Sequence, residues 1–140
     1  MLGAGELEIS MKVRIGHLYA DLMDTYGDRG NIASIVKRCQ WRNIQTSVTA
    51  VSIGDKLDKN QFDVFFFGGG QDRQQFLVEK DLKNKSSVLK HEIESGIPLL
   101  SVCGGYQLLQ KYFKTKTGET IKGIGVFNAY TLGTEDRMIQ

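Results

Sequence analysis

Two short, almost wholly apolar runs in this chain each end abruptly at a cluster of glycines. Asp63–Phe67 leads into Gly68–Gly70, and Pro98–Val102 leads into Cys103-Gly104-Gly105. A short strand without polar alternation is typical of a sheet covered on both faces, because a half-exposed strand alternates apolar and polar side chains. Glycines allow the tight turns that must follow. The pattern predicts a buried, parallel sheet.

The remaining segments alternate between strand-like and helix-like patterns, which predicts an α/β domain with right-handed crossovers. The predicted strands are Lys12–Tyr19, Ser47–Ile53, Asp63–Phe67 and Pro98–Val102, with later strand-like segments at Ile121–Phe127 and Tyr130–Leu132. The predicted helices are Asn31–Arg42 (capped by Asn31), Asp72–Asn84, Ser86–Ser95 and Gly105–Phe113. Ligands of such sheets bind beyond the carboxyl ends of the strands. We therefore expect function in the loops Ala20–Gly30, Gly68–Asp72 and Cys103–Gly105.

Length and charge narrow the class of protein. A chain of 140 residues fits one domain. The net charge of +2, without a basic stripe, gives no indication of nucleic-acid binding. No apolar run approaches the roughly 20 residues of a membrane-spanning helix, so an integral membrane protein is not expected. Residues 1–11 do not resemble a signal peptide and are interpreted as an amino-terminal extension. Two cysteines without framework spacing favour the cytoplasm, and no Cys/His cluster has metal-ligand spacing.

Cys103 is the strongest candidate for chemistry. A buried strand leads into it, and two glycines and a helix follow, which is the layout of a nucleophile elbow. The turn exposes the sulfur near a helix amino terminus, where main-chain N–H groups favour the thiolate. The Gly104 N–H can face the oxyanion of a tetrahedral intermediate. Most cysteines on apolar strands are inert core residues, but a core cysteine does not need two glycines behind it. Cys39, on the apolar face of the first helix, is interpreted as core packing.

The other polar features are less specific. Gly68–Gly70 could bring main-chain N–H groups close to a ligand, although a plain strand-to-helix turn capped by Asp72 would use the same residues. No Lys-Ser/Thr follows the glycines, so they do not form a P-loop. Acidic residues at 21, 24 and 28 are interpreted as a solvated turn with helix capping, and their spacing fits a metal loop poorly. His17 and His91 precede Cys103 and are expected to be structural or solvent-facing, so no base is evident.

Three motifs together resemble those of class I, triad-type glutamine amidotransferases. They are Tyr26-Gly27-Asp28-Arg29-Gly30-Asn31, Phe67–Arg73, and Val102-Cys103-Gly104-Gly105-Tyr106-Gln107. More narrowly they resemble the GatD family, the glutaminase subunits of lipid II isoglutaminyl synthase, with cobyric acid synthase-type amidotransferases as near neighbours. The resemblance covers nearly the whole chain from Met11. It implies a three-layer, flavodoxin-like α/β domain, of which residues 12–140 are the amino-terminal part. The family domain is about 100 residues longer and carries its catalytic histidine there, so the chain looks truncated.

The resemblance also implies roles for individual residues. Cys103 would attack the side-chain amide of L-glutamine, and the N–H groups of Gly69 or Gly70 and of Gly104 would hold the oxyanion. Gln107 and Arg137 would help to bind the substrate. The ammonia would pass to a MurT-type ligase that amidates D-glutamate of lipid II in peptidoglycan synthesis. ATP and Mg²⁺ would belong to that partner, and no cofactor is expected in this chain.

Two other functions stay open. One is a catalytically incomplete remnant that binds a ligase partner or glutamine without turning it over. The other is a redox or stress protein with an elbow cysteine, which would be sensitive to peroxide and indifferent to glutamine. The motifs Gly68–Arg73 and Tyr26–Asn31 count against the redox protein.

Overall fold

The computed structural model describes residues 11–25 and 27–135. Its helices are α1 (Asp28–Gln40), α2 (Asp72–Glu94) and α3 (Gly104–Leu109). Its strands are β1 (Lys12–Leu18), β2 (Gln45–Val51), β3 (Val64–Phe67), β4 (Leu99–Ser101), β5 (Tyr112–Lys114), β6 (Thr120–Lys122) and β7 (Tyr130–Leu132). The predicted α/β class with a parallel sheet is confirmed. Most of the predicted extension, residues 1–10, lies outside the described part.

The main sheet has the strand order β2-β1-β3-β4, and all its pairs are parallel. This order matches the first four strands of a flavodoxin-like sheet. The step from β1 to β2 runs toward one edge of the sheet, and the step from β3 to β4 runs toward the opposite edge. Right-handed crossovers therefore put α1 and α2 on opposite faces. The loops after β1, β3 and β4 all meet at the carboxyl edge of the sheet.

The hydrophobic core lies mainly on the α2 face. Phe65 and Phe67 of β3 are fully buried there against Val78 and Leu82 of α2. Leu108 and Leu109 of α3 join the same cluster, as do Phe113, Ile121 and Ile124 from the second sheet. That second sheet has the order β6-β5-β7, with β5 antiparallel to β6 and parallel to β7. The two sheets thus share one hydrophobic core, and α3, which follows the end of β4, packs into it.

A buried polar cluster ties α2 to the ends of β1 and β2. Asp81 accepts hydrogen bonds from the Tyr19 hydroxyl at 2.7 Å and the Gly54 N–H at 3.0 Å, and it pairs with Lys85 one turn later. Lys85 also donates to the Ser52 carbonyl oxygen at 3.2 Å. Burial acts to raise the pKa of Asp81, but these hydrogen bonds outweigh it and lower that pKa. Burial, reinforced by the Asp81 carboxylate, raises the pKa of Tyr19.

Several predicted helix boundaries are wrong. The first helix begins at Asp28 rather than Asn31, because Gly27 takes a left-handed φ of 77° and turns the chain earlier. The two helices predicted between Asp72 and Ser95 are one helix of 23 residues. Lys85, which lies between the two predicted helices, is inside the observed helix and pairs there with Asp81.

The segment after the elbow differs most from prediction. The third helix ends at Leu109, not at Phe113, because Gln110 is extended and Phe113 enters β5. The strand predicted over Ile121–Phe127 is confined to Thr120–Lys122, since Gly125 takes a left-handed φ of 67° soon after it. Tyr130–Leu132 is a strand, as predicted. No helix within the described residues is both long and apolar enough to cross a membrane.

Candidate active site

Cys103 lies at a strained turn between β4 and α3. Its φ of 49° and ψ of −112° fall outside the regions that side-chain-bearing residues normally occupy. Such a conformation costs about 1–3 kcal/mol and persists only where the surroundings enforce it. The side chain is exposed. The predicted elbow is therefore present as geometry, with the sulfur presented to solvent.

The surroundings that enforce this turn are main-chain atoms of the triple-glycine segment. A Cβ on Gly105 would lie 2.5 Å from the Phe67 carbonyl oxygen, and one on Gly104 would lie 2.7 Å from the Gly70 carbonyl oxygen. Real Cβ atoms essentially never approach so closely. The Gly105 N–H donates to the Gly68 carbonyl oxygen at 3.0 Å, which fastens the two loops together. Both glycines after Cys103 are thus required by contact with the neighbouring loop.

Hydrogen bonds within the triple-glycine segment leave one donor open. The Gly69 N–H donates to Asp28 Oδ2 at 2.9 Å, and the Gly69 carbonyl oxygen accepts from the Thr25 N–H at 3.1 Å. The carbonyl oxygens of Gly68 and Gly70 are bonded as well. Among the main-chain N–H and C=O groups that lie between the Gly68 oxygen and the Gly70 oxygen, the Gly70 N–H alone has no hydrogen-bond partner within residues 11–25 and 27–135.

The orientation of that open donor follows from peptide geometry. In a trans peptide the C=O and N–H groups point in opposite directions. Because the Gly69 C=O points toward Thr25, the Gly70 N–H points away from the loop after β1. The Gly70 nitrogen lies 3.0 Å from where a Cβ of Gly104 would be, which places it beside the elbow. The Gly104 N–H, at the start of α3, likewise has no acceptor in the described part of the chain.

The site geometry agrees with a comparison to protein families. Residues 14–140 match the CobB/CobQ-like glutamine amidotransferase domain. The chain belongs to this family.

Two curated proteins are similar to most of the chain. One, from Streptococcus pneumoniae (strain ATCC BAA-255 / R6), is named lipid II isoglutaminyl synthase (glutamine-hydrolyzing) subunit GatD and is 40% identical over 129 residues. The GatD of the same name from Staphylococcus aureus (strain N315) is 36% identical over 127 residues. The alignments cover 91% of this chain but 50% and 52% of those proteins. The chain therefore spans about half the length of the curated relatives.

Asp28 is a buried part of this candidate site that the sequence interpretation missed. It was expected in a solvated turn, but it is fully buried, and its Oδ2 holds the Gly69 N–H. Its other oxygen has no hydrogen-bond partner among the described residues. One signal was available: Asp28 follows β1 at the same sheet edge as the glycines, where a buried carboxylate can satisfy their amides.

Gln75 is the second missed residue, and it connects to Gln107, which was predicted. Gln75 is 1% exposed on α2, and its Nε2 donates to the Gly70 carbonyl oxygen at 3.1 Å and to Gln107 Oε1 at 2.9 Å. Gln107 is half-buried on α3 one turn after Cys103, and its N–H donates to the Cys103 carbonyl oxygen at 3.1 Å. Nothing in the local pattern distinguished Gln75 from Gln71 or Gln74.

The histidines stay apart from Cys103. His17 is buried in β1, where its ring meets Phe66 edge-on at a centroid distance of 5.2 Å and its Nε2 has no partner within the described residues. Burial lowers the pKa of His17, although Asp24 and Asp28 act to raise it. His91 is exposed on α2, as predicted. In the part of the chain that the structure describes, Cys103 hydrogen-bonds to neither of them.

The other predicted residues have mixed outcomes. Cys39 is not in the core; it is half-buried at the surface beside Ile35, Arg38 and Arg42, so that prediction is wrong. Arg137 lies outside the described residues, and its role stays a prediction. Among residues 11–25 and 27–135, no group of three or more His, Cys, Asp or Glu side chains is arranged to hold a metal ion.

Proposed function

We propose that Cys103 is the nucleophile of a glutaminase, the amidotransferase activity of the family to which this chain belongs. One observation carries the proposal: an exposed sulfur on a strained elbow adjoins two main-chain N–H groups, of Gly70 and Gly104, that have no partner in the described chain. A thiolate next to two open donors suits attack on a carbonyl group, because the donors stabilise the oxyanion that forms.

In the proposed reaction, the Cys103 sulfur forms a bond to the side-chain amide carbon of L-glutamine. The carbonyl electron pair moves to the oxygen, which accepts hydrogen bonds from Gly70 and Gly104. Gly69 would contribute indirectly, since its own N–H is bound to Asp28. The C–N bond then breaks, and the nitrogen takes a proton and leaves as ammonia. Water hydrolyses the resulting thioester to glutamate and restores the thiolate.

Proton transfer needs a group that the described residues do not bring to Cys103. A cysteine hydrolase usually takes its base from a histidine in hydrogen-bond reach of the sulfur. We propose that a histidine from outside residues 11–25 and 27–135 serves as this base, as the resemblance to triad-type amidotransferases implies. Gln107 and Arg137 would orient the glutamine.

We further propose that the ammonia is used by a partner ligase. Both curated relatives are named as glutamine-hydrolysing subunits of lipid II isoglutaminyl synthase, which supports a MurT-type partner that amidates D-glutamate of lipid II. ATP and Mg²⁺ would act on that partner, where the acceptor carboxylate is activated. A cytoplasmic location suits a free nucleophilic thiol, because the reducing compartment keeps it from oxidation.

The test is glutamine hydrolysis by the full-length protein, alone and with its partner ligase, in matched cysteine variants. Cys103→Ala should abolish ammonia release. Cys39→Ala, which removes the other free cysteine from a half-buried surface position, should leave it unchanged. Hydrolysis that survives Cys103→Ala would reject the mechanism. If the wild-type protein binds the ligase but releases no ammonia from glutamine, the chain is a partner-binding module instead.

A further inference from the structure

A buried amide links the two loops that form the candidate site. Gln75 lies on the first turns of α2, and both N–H bonds of its side chain are used: one reaches the Gly70 carbonyl oxygen at 3.1 Å and the other reaches Gln107 Oε1 at 2.9 Å. A Cβ on Gly104 would come within 2.9 Å of the same Nε2 atom. This nitrogen therefore touches the glycine turn, the elbow and the elbow helix at once.

The orientation of this amide is fixed by its surroundings. Oxygen and nitrogen of a glutamine amide are assigned from the hydrogen bonds they make. A carbonyl oxygen can only accept, so the atom of Gln75 that faces the Gly70 oxygen must be the amide nitrogen. Turning the amide over would put its oxygen against that carbonyl. Gln75 Oε1 is buried and has no hydrogen-bond partner in the described chain. An unpaired buried acceptor costs free energy, and this cost is accepted because the reverse orientation would remove both hydrogen bonds of Nε2.

The hydrogen bond to Gly70 determines where the open donor lies. The Gly70 residue is held at its oxygen by Gln75 and at the preceding peptide by Thr25. Without Gln75, the Gly70 oxygen would be buried and unpaired, and it would have to turn toward another donor. That turn would move the Gly70 N–H relative to the Cys103 sulfur. The link to Gln107 would be lost at the same time, so α3 could shift against the turn.

We propose that Gln75 is a positioning residue that holds the Gly70 N–H in register with the Cys103 elbow, so that it controls the rate of thiolate attack rather than the binding of glutamine. This inference rests on the glutaminase function proposed above. Gln75 does not contact the substrate; it acts through Gly70 and Gln107.

The test follows inactivation of the full-length protein by a chloromethyl ketone analogue of glutamine. The Cys103 sulfur forms a bond to the methylene carbon and chloride leaves, while the neighbouring ketone oxygen gains negative charge and accepts a hydrogen bond from the Gly70 N–H. The maximal inactivation rate reports attack, whereas the half-saturating concentration reports binding. Gln75→Met keeps the length of the side chain but removes both hydrogen bonds. It should slow the maximal rate about 10- to 100-fold, the range expected when a donor is displaced, and change half-saturation by less than about threefold.

Two controls separate positioning from general damage. Gln110 is also buried, but its side chain bonds Thr131 at the far end of α3, so Gln110→Met should leave the maximal rate unchanged. 2-Bromoethylamine, which carries no carbonyl group for the Gly70 N–H to bind, should alkylate Cys103 equally fast in wild type and Gln75→Met. Faster or slower alkylation in Gln75→Met alone would mean that the elbow itself has changed, which contradicts the proposed role.

A second variant keeps the proposal testable if Gln75→Met folds poorly. In Gln75→Glu, a protonated carboxyl group can donate one hydrogen bond to the Gly70 oxygen, whereas the carboxylate repels it. Burial and the facing oxygens should raise the pKa of this carboxyl group. The inactivation rate relative to wild type should therefore recover as the pH falls.

The outcomes are distinguishable. Equal maximal rates in wild type, Gln75→Met and Gln75→Glu at every pH would overturn the role of Gln75 while leaving the glutaminase intact. If the wild-type protein shows no saturable inactivation that glutamine protects against, the proposed function fails and this inference fails with it. A reduced maximal rate in Gln75→Met, with recovery of Gln75→Glu at low pH, supports both.

Discussion

Adding one carbon atom at Gly104 tests whether the elbow and the glycine turn work as a unit. In Gly104→Ala the new Cβ would lie 2.7 Å from the Gly70 oxygen, 2.9 Å from Gln75 Nε2 and 3.0 Å from the Gly70 nitrogen. Two of these atoms are main chain and cannot rotate away. Ordinary contact begins at 3.4 Å, so the two loops must separate by about 0.7 Å at this point.

A shift of this size has two measurable consequences. Overpacking of a tight interior contact costs about 1–3 kcal/mol of the free energy of unfolding. Catalytic groups must stay within about 0.5 Å of their productive positions, and a displacement near 1 Å can reduce a rate about 100-fold. Gly104→Ala should therefore lose about 1–3 kcal/mol in urea unfolding and slow glutamine hydrolysis at least about 10-fold.

The same substitution at Gly30 provides a matched control. Gly30 lies in the first turn of α1, where an added Cβ would meet nothing within 4 Å and φ is not left-handed. Gly30→Ala should raise the free energy of unfolding by about 0.5–1 kcal/mol, because alanine favours the helix more than glycine does. Its glutamine hydrolysis should match wild type. If Gly104→Ala were as stable and active as Gly30→Ala, the contact between the two loops would not be what positions the site.

Two further predictions concern buried polar groups. Asp81→Ala would leave the buried Lys85 ammonium group without a carboxylate partner among the described residues, with the Ser52 carbonyl oxygen and the face of the Tyr19 ring still beside it. Urea unfolding should then show a loss of about 3–5 kcal/mol, and a loss below about 1 kcal/mol would contradict the buried pairing. Because the pKa of His17 is lower in the folded chain than its ordinary 6.5, the unfolded chain binds more protons below that pH. The stability due to a neutral His17 is therefore complete above about pH 6.5 and falls as the pH decreases, by at most about 1.4 kcal/mol per pH unit. Between pH 7 and 5, His17→Leu should flatten this slope, and an unchanged slope would show that other groups cause it.

The sequence was most informative where local chemistry and the fold required the same thing. The apolar run before Gly68 is a buried strand, as predicted, and the glycines marked both turns. The run before Cys103 is a strand too, but its predicted burial is wrong: β4 lies at the edge of the sheet, and Leu100 is 49% exposed. The elbow was predictable because a strand, a nucleophile type, two glycines and a helix occur together. The order of these elements along the chain also predicted the parallel sheet.

Prediction failed where long-range contacts decide the structure. Lys85 falls between the two predicted helices, yet it is buried inside α2, where it pairs with Asp81 one turn before it and donates to the Ser52 carbonyl oxygen just after β2. Leu109 ends α3 because Phe113 is needed in the second sheet, and no glycine or proline marks that boundary. Asp28 and Gln75 are polar residues whose partners are main-chain atoms distant in sequence. A single sequence gives no sign of such partners.

The amides beside Cys103 belong to the peptide backbone, so no amino-acid replacement other than proline deletes them. A survey that trims side chains one by one would pass over these groups entirely. Positions 104 and 105 are constrained by lack of space, because a methyl group at either position would clash with a main-chain carbonyl oxygen of the neighbouring loop. Mutational drift beside the elbow should therefore be limited by side-chain volume at positions 104 and 105, whereas neighbouring Tyr106 is 43% exposed and packs its ring only against the surface residue Phe127 among its described ring contacts.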